Sequence, residues 1–508
     1  MSYPWHTRLL LAVGSGATLA VSFPSYNLWP LAWISVGLLI LAAYGAELAL
    51  APLYGFAHSL VFYPLCLPWI AVVVHQYGNV PVLIAAGLVG LIAILFGCLS
   101  AVFTWGVALS SRSGPGLACA LAPFLWVMLE FARAHVPIIG FPWNLAGYAA
   151  SGNLALLQLA ASTGVYGLSF LVAGFGTLLA YAILVGSVRA WRTVVVSLAG
   201  LMLIGVGGGH LVPQAPHRYM AHLVQTNFAQ SYTYPPDWMP QHQPELEQLE
   251  RISIDSATKT PGPIIWPEVP APFSLEDAVF AGRARQIAGG AGQDFLVGVE
   301  DWRRNASGKW DATNSAVLLS PSGARLFTYD KIHLVPFGEY VPLRNWLRFA
   351  GKLTADIGDF TPGAGYQVGR LPGGTFSAFI CYEAIFPNEV RQFTAAGAEL
   401  LVNMSNDGWF GRSAAPAQHL MMARVRAVEN RRWLLRDTNN GFTAVVDPYG
   451  RIVAELGTDL RGQLDAPYDF RTDLTPYVRF GDWFAWLSVV VSLGLLAWAV
   501  AKRLGKPA

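Results

Sequence analysis

The residues with the clearest capacity for chemistry lie in three short stretches. Cys381 ends the apolar run TFSAFI and opens CYEAIFP, while Cys66, Cys98 and Cys119 all fall in long apolar segments, so it has no disulfide partner nearby. A thiol at a strand end, before the helix start marked by Pro387 and Asn388, can face a pocket as a nucleophile or remain an inert buried thiol. Position alone leaves those two readings level. Glu268 follows an apolar strand in IIWPEVP and stands between two prolines that fix its backbone. Lys331 and Glu339 share the stretch YDKIHLVPFGEY. A thiol attacking a carbonyl needs a base for its proton and a cation for the oxyanion that forms. Glu268 can be that base and later an acid; Lys331 can lower the thiol pKa and stabilise the oxyanion. Taken singly, each charge is weak evidence, and a surface salt bridge is its usual explanation.

The elements that must position these groups follow from pattern. Short apolar runs bounded by turn residues predict strands at 220–225, 264–267, 295–300, 316–319, 376–380, 400–404, 433–437 and 443–446. Helical patterns lie between them at 244–257, 274–290, 388–397 and 416–430. The alternation argues an α/β domain with helices packed on sheets. The stretch 461–482 reads as a mixed tail.

Composition places that domain in an unusual setting. Of 508 residues, 54% are hydrophobic and 13% charged, against about 25% charged in ordinary soluble domains. That excludes a wholly soluble enzyme, and 64 aromatic residues (18 Trp, 19 Tyr, 27 Phe) exclude disorder. The net charge of +2 gives no argument for nucleic acid. Residues 1–213 hold only Arg8, Glu47, Arg112, Glu130, Arg133, Arg189 and Arg192, and 54 charges crowd into 214–483. A helix needs about 20 apolar residues to cross a bilayer. Windows near 8–24, 27–45, 50–74, 79–110, 116–136, 152–186, 194–212 and 483–501 meet or approach that length. The division expected is a membrane domain of seven spans (1–213), an external domain (214–482), and an eighth span with its tail (483–508). The Lys/Arg bias of short loops sets both termini in the cytoplasm and the domain outside. Glu130 and Arg133, one helical turn apart, read either as a structural ion pair or as a polar wall facing a substrate cavity. Residues 140–148 (GFPWNLAGY) read as a re-entrant or surface loop beside the domain.

The order WPE, YDKIHLVPFGEY, ICYEAIFP resembles the Glu-Lys-Cys set of the nitrilase superfamily. HLVPFGEYVP and the flanking apolar segments resemble its apolipoprotein N-acyltransferase branch. NDGWFG (406–411), the stretch PAQHLMMARVRAVENRRWLLRDTNNG (416–441) and VQTNFAQ (224–230) extend the resemblance over essentially the whole chain. It implies a polytopic α-helical membrane domain of about eight transmembrane helices and an external α/β nitrilase-like domain, an α-β-β-α sandwich. It implies Cys381 as nucleophile, Glu268 as general base and acid, and Lys331 as oxyanion support, with the backbone N–H after the cysteine as a second donor. Glu339, Tyr382, Glu383 and Asn314 match positions that shape the site. Trp409 and Phe410 match aromatic positions on a loop near the lipid entrance. Where the family has a Trp after the first strand, Tyr234 and nearby Trp238 stand instead. Leu343, Trp346, Leu347, Phe349 and Leu353 suggest a segment that dips into the membrane interface; packing against the domain is the other reading.

The implied reaction is acyl transfer in two steps, from a membrane phospholipid to Cys381 as a thioester, then to the amino group of the diacylglyceryl-cysteine of an apolipoprotein. The implied location is the bacterial inner membrane, with the domain periplasmic and the chain a monomer. A membrane-tethered amidase or nitrilase is the main alternative. A transporter or receptor fits worse, because the apolar segments offer no chain of ionisable residues. His217, His222, His242, His333 and His419 form no paired metal-ligand spacing, and no GxGxxG or Walker pattern is present, so neither metal nor cofactor is expected.

Overall fold

A β-sandwich sits on one end of a helical bundle. The computed structural model describes residues 3–136, 140–231, 233–304, 308–341 and 360–504. The bundle comprises α1 (Trp5–Ala20), α2 (Ala32–Ala43), α3 (Ala51–Cys66), α4 (Pro68–Gln76), α5 (Val82–Ser111), α6 (Pro115–Ala134), α7 (Val165–Val185) and α8 (Val188–Leu211). Among the described residues five helices are long and apolar enough to cross a membrane: α5 to α8, and Trp483–Arg503 after the sandwich.

The remaining windows are cut short for identifiable reasons. Pro68 lacks an N–H and Leu67 leaves the helical region, so the window 50–74 becomes α3 and α4, bent by 54°. Helix α1 has 16 residues and α2 has 12. At the end of α2, Gly45 turns the chain at φ +66, and buried Arg8 donates to the carbonyls of Ala42 (2.8 Å) and Tyr44 (2.7 Å). The window 152–186 breaks at Gly164, whose φ is +65 and where a Cβ would lie 2.6 Å from the Tyr477 ring. Short helices Leu154–Leu157 and Ala160–Thr163 precede the break.

The sandwich contains β1 (Tyr219–Gln225), α9 (Gln243–Lys259), β2 (Ile264–Ile265), α10 (Ala278–Ala291), β3 (Phe295–Arg304), β4 (Trp310–Leu319), β5 (Arg325–Asp330), β6 (Gly369–Leu371), β7 (Gly374–Ile380), α11 (Pro387–Ala395), β8 (Leu400–Ser405), α12 (Ala415–Asn430), β9 (Leu434–Thr438), β10 (Thr443–Val446), β11 (Ile452–Leu456) and β12 (Gly462–Tyr468). Helix α13 (Trp483–Leu504) returns the chain to the bundle. The strands form two six-stranded sheets, ordered β12-β1-β2-β3-β4-β5 and β11-β10-β9-β8-β7-β6. Leu223, Leu296, Leu318, Phe376, Ala378, Val402 and Leu435 fill the core between them. On the outside of the first sheet, Ile264, Val297 and Val317 meet Leu249 of α9 and Ile287 of α10. Beyond the second sheet, Ile385, Phe386, Met422, Val425 and Val428 join the core of the bundle itself. The layers are therefore α-β-β-α, with the second helix layer pressed against the bundle.

All eight expected strands are present. The four others, β5, β6, β11 and β12, are the four sheet edges. Edges carry polar and exposed residues, as in IVAEL and GQLDAPY, and Pro467 is tolerated only there. For that reason the expected tail 461–482 is in fact a strand, β12, paired antiparallel to β1, followed by the short helix Pro476–Phe480.

Candidate active site

Strand β7 ends at Ile380 and the chain turns at once into a 3₁₀ segment, Cys381–Ile385. Cys381 takes a left-handed conformation, φ +50, which costs a non-glycine residue about 1–3 kcal/mol and persists only when neighbours enforce it. Glu383 is one enforcer. Its Oε2 accepts from the Ile380 N–H (2.6 Å), and its Oε1 accepts from the Tyr329 hydroxyl (2.6 Å) and the N–H groups of Ile332 (2.8 Å) and His333 (3.1 Å). One buried carboxylate thus ties the cysteine turn to the segment just after Lys331. Burial pushes that carboxyl up to about 7, against the pull of its donors.

Lys331 leaves the end of β5 and is 1% exposed. Its Nζ lies 3.0 Å from Glu268 Oε1 and 2.9 Å from Glu339 Oε1. Asn314 on β4 bridges the same two oxygens from Nδ2, 2.8 Å to each. The other oxygens are held by main chain: Glu268 Oε2 by the Asn406 N–H and Glu339 Oε2 by the Val335 N–H, both 2.8 Å. Gly298 lets this happen, since a Cβ there would meet Pro267 O at 2.2 Å and Glu268 Cα at 2.7 Å. Burial alone would lower the Lys331 pKa; the charges of Glu268, Glu339 and Cys381 outweigh it and hold the ammonium well above its ordinary value. Burial, then the Glu268 charge, raise the Cys381 thiol, while Lys331 pulls it down. Burial thus favours the protonated thiol, so attack by sulfur must be coupled to proton transfer.

Behind the cysteine lies a group that sequence reasoning missed. His419 of α12 donates from Nε2 to the Cys381 carbonyl (3.0 Å) and places Nδ1 3.0 Å from Asp407 Oδ1. Asp407 Oδ2 accepts from Arg436 Nη2 (2.7 Å), and Arg436 also donates to Asn403. Burial raises the Asp407 carboxyl, but Arg436 and His419 together hold it well below the carboxylate range. The available signal was Arg436, a full charge inside the buried run WLLRD; spacing between the three residues carried none.

The remaining expected residues fall in different places. Tyr382 is half-buried, its ring 5.7 Å from His333 and 5.2 Å from Phe386. Trp409 packs edge-on to Tyr77 (5.1 Å), and Phe410 to Trp69 (5.1 Å) and Trp143 (5.8 Å), so this turn faces bundle residues. Tyr234 lies edge-on to Trp238 (5.9 Å). Trp238 is buried in the outer core, stacked on His242 and edge-on to Phe228 and Phe273. Trp346, with Leu343, Leu347, Phe349 and Leu353, lies outside the described residues.

The bundle closes the site from the other side. Residues 143–148 are buried between bundle and sandwich, not on the surface as a loop. The Trp143 indole donates to Gln418 Oε1 (2.7 Å), and Gln418 donates to the carbonyls of Pro24 (2.6 Å) and Cys66 (3.2 Å). Glu429 accepts from the Val165 N–H at the start of α7 (2.8 Å) and pairs with Arg426 (3.0 Å), which also reaches the Tyr148 hydroxyl (3.0 Å). Glu130 and Arg133 do not pair with one another. Glu130 accepts from Trp126 (3.0 Å) and the Ala146 N–H (2.7 Å), while Arg133 donates to the Tyr63 hydroxyl (2.8 Å) and the Trp143 carbonyl (3.0 Å). The main-chain groups of the 143–146 segment take the place of the expected ion pair.

Comparison with known proteins divides the chain as its architecture does. Residues 268–472 match the carbon-nitrogen hydrolase family, and residues 15–178 match the apolipoprotein N-acyltransferase N-terminal domain. The apolipoprotein N-acyltransferase of Geobacter metallireducens is 36% identical over 97% of this chain and 95% of its own. That of Azotobacter vinelandii is 34% identical over 97% and 95%, and that of Pseudomonas aeruginosa PAO1 33% over 99% and 97%. Among solved structures, yeast Nit3 of the nitrilase superfamily is 20% identical, covering 50% of this chain and 90% of its own at a TM-score of 0.38. The chain belongs to the apolipoprotein N-acyltransferase family.

Proposed function

We propose that the protein transfers an acyl chain from a membrane phospholipid, through a thioester on Cys381, to the N-terminal amino group of a diacylglyceryl-cysteine apolipoprotein. The observation that carries this reading is the buried Cys381 turn brought together with the Glu268–Lys331 pair in a sandwich fused to apolar helices. In the first half-reaction Glu268 takes the thiol proton as sulfur attacks the ester carbonyl. Lys331 and the N–H after Cys381 receive the oxyanion. Collapse expels the lysophospholipid alkoxide, which takes the proton back from Glu268. In the second, the acceptor amine attacks the thioester, Glu268 removes its proton, and the sulfur leaves to be reprotonated. Glu339 and Asn314 keep Lys331 and Glu268 in register; Trp409, Phe410, Tyr234 and Trp346 are the aromatic groups assigned to the lipid path.

The helical region has a physical reason to be there. An acyl chain of about 16 carbons is held in lipid by about 0.8 kcal/mol per CH₂, and an enzyme standing on the bilayer need not extract it fully into water. In this reading residues 1–213 cross the bacterial inner membrane seven times, 214–482 lie on the periplasmic side, and 483–508 return to the cytoplasm, in a monomer. Bundle geometry supports the orientation. The Gly45 N–H donates to Ser111 (3.1 Å), which puts the loops near Arg8 and Arg112 at one end; Pro24, Cys66, Trp143 and Val212 contact the sandwich at the other.

The test is mass spectrometry of the chain after incubation with phospholipid, then with a diacylated lipopeptide. The expected result is an acyl adduct on Cys381, discharged to the peptide amine, and no adduct in Cys381→Ala. An adduct elsewhere, or transfer by the alanine variant, would overturn the mechanism. Discharge to water alone would make the protein a hydrolase.

A further inference from the structure

The thiol's aim depends on a strained backbone, and two groups hold that backbone from opposite sides. Glu383 fixes the amide entering Cys381. His419 fixes the carbonyl leaving it. A carbonyl only accepts, so His419 Nε2 carries the proton. The imidazole cannot turn away cheaply. Its Nδ1 lies 3.0 Å from Asp407 Oδ1, an oxygen that accepts from the Ser405 hydroxyl (2.8 Å), and 3.2 Å from Arg436 Nη2, which can donate to it. Its ring is walled by Trp143 (5.7 Å) and Phe410 (5.9 Å). His419, Asp407 and Arg436 are all essentially inaccessible to solvent. An anchor this constrained is suited to holding a φ of +50 that Cys381 would otherwise relax.

We propose that His419, clamped by Asp407 and Arg436, is a positioning residue for the nucleophile: its Nε2–H anchors the Cys381 carbonyl and keeps the thiol aimed at Glu268 and Lys331. The proposal rests on Cys381 being the nucleophile. The titratable and charged groups that face the turn are Lys331, Glu268, Asp407 and Glu383, whose carboxyl titrates at about 7 and is unchanged in both variants; those that face the imidazole are Asp407 and Arg436.

The test reads the thiol without any acyl substrate, so its outcome is separate from that of the acyl-transfer reading. Full-length protein is alkylated with iodoacetamide across a pH series, and the rate at Cys381 is followed by peptide mapping, which separates it from the other cysteines. His419→Gln puts an amide nitrogen where Nε2 stands; His419→Asn reaches only to the place of Nδ1. Loss of the anchor lets the sulfur drift from the Lys331 cation, so the asparagine variant should lose about tenfold in rate, with the pH midpoint moved upward, while the glutamine variant stays within about threefold at the original midpoint. A merely structural histidine would lower the melting temperature and leave the midpoint alone. Wild-type rate and midpoint in the asparagine variant, or equal losses in both variants, would overturn the proposal. Nitrogen NMR of histidine-labelled wild-type protein gives a reading that needs no variant to fold. A hydrogen-bonded Nε2 proton on His419 throughout the alkylation range supports the anchor, and a bare Nε2 overturns it.

Discussion

The two helix layers of the sandwich have the same architectural task and different surroundings. Helix α9 faces solvent on one side and buries five residues as a single stripe: Leu246, Leu249, Glu250, Ser253 and Ala257. Helix α12 is buried at 13 of its 16 positions, because one side lies on the second sheet and the other on the bundle. An amphipathic stripe suffices for the first. The second must satisfy polar side chains on both faces, and it does so with paired partners: Gln418 with Trp143, His419 with Cys381 and Asp407, Arg426 with Glu429. The helix that supports the cysteine turn is thus also the wall shared with the bundle. The bundle reaches the cysteine turn through that wall, Trp143 lying against the His419 ring.

Substitutions can break or sharpen this contrast. The largest effect should come from Arg426→Met, which strands Glu429 without its cation; a loss of about 3–5 kcal/mol in denaturant unfolding is expected, largely recovered when Glu429→Leu is added. Equal stability of the single variant and wild type would mean that the wall carries little.

Next comes pH. Burial pushes the Glu429 carboxyl up to about 7 from an ordinary 4.5, against the pull of Arg426. A raised acid binds its proton more tightly when folded. Its stabilising contribution is therefore complete below pH 4.5 and lost as pH rises through 7. Glu383 titrates in the same window and direction. The measurement is accordingly the difference between wild type and Glu429→Gln, on the order of 3 kcal/mol across that range. A difference that does not change with pH would contradict the assignment.

Trp143→Phe keeps a ring on His419 but leaves the buried Gln418 oxygen without its donor, for a loss of about 1–3 kcal/mol by thermal melting. The smallest effect should lie in the solvent-facing layer. Asp277 caps α10 by accepting from the Phe280 N–H (2.8 Å), and Asp277→Ala should cost about 1 kcal/mol. If that variant proved as damaging as Arg426→Met, the contrast between the layers would fail.

Much of this was legible in residue order, for a physical reason. Central strands are continuous apolar runs, and β1, β3, β7 and β8 announce themselves; the edges β5, β6, β11 and β12 mix polar and apolar residues and do not. Glu268 and Cys381 each follow an apolar run, which is where strands deliver side chains to a common rim; Lys331 follows the mixed edge strand β5 and is marked by its stretch YDKIHLVPFGEY, and Asn314 and Glu339 joined them there. Asp407, His419 and Arg436 come from a turn, a helix and a strand, and only three-dimensional packing makes them neighbours. Trp238 illustrates the opposite error: an aromatic residue close in sequence to a lipid-path position can simply be core.

The pairing of β1 with β12 also fixes where the chain enters and leaves the sandwich. The strand that enters the sandwich from α8 and the strand that leaves it toward α13 run side by side, from Tyr219 opposite Tyr468 to Gln225 opposite Gly462. The chain therefore enters and leaves the whole sandwich at one place, the arrangement in which one fold can be set into another. What an excised sandwich would lack is the covering of α12, so a gene fragment bounded at these two strands would need a new surface on that helix, in place of the bundle, before it could stand alone.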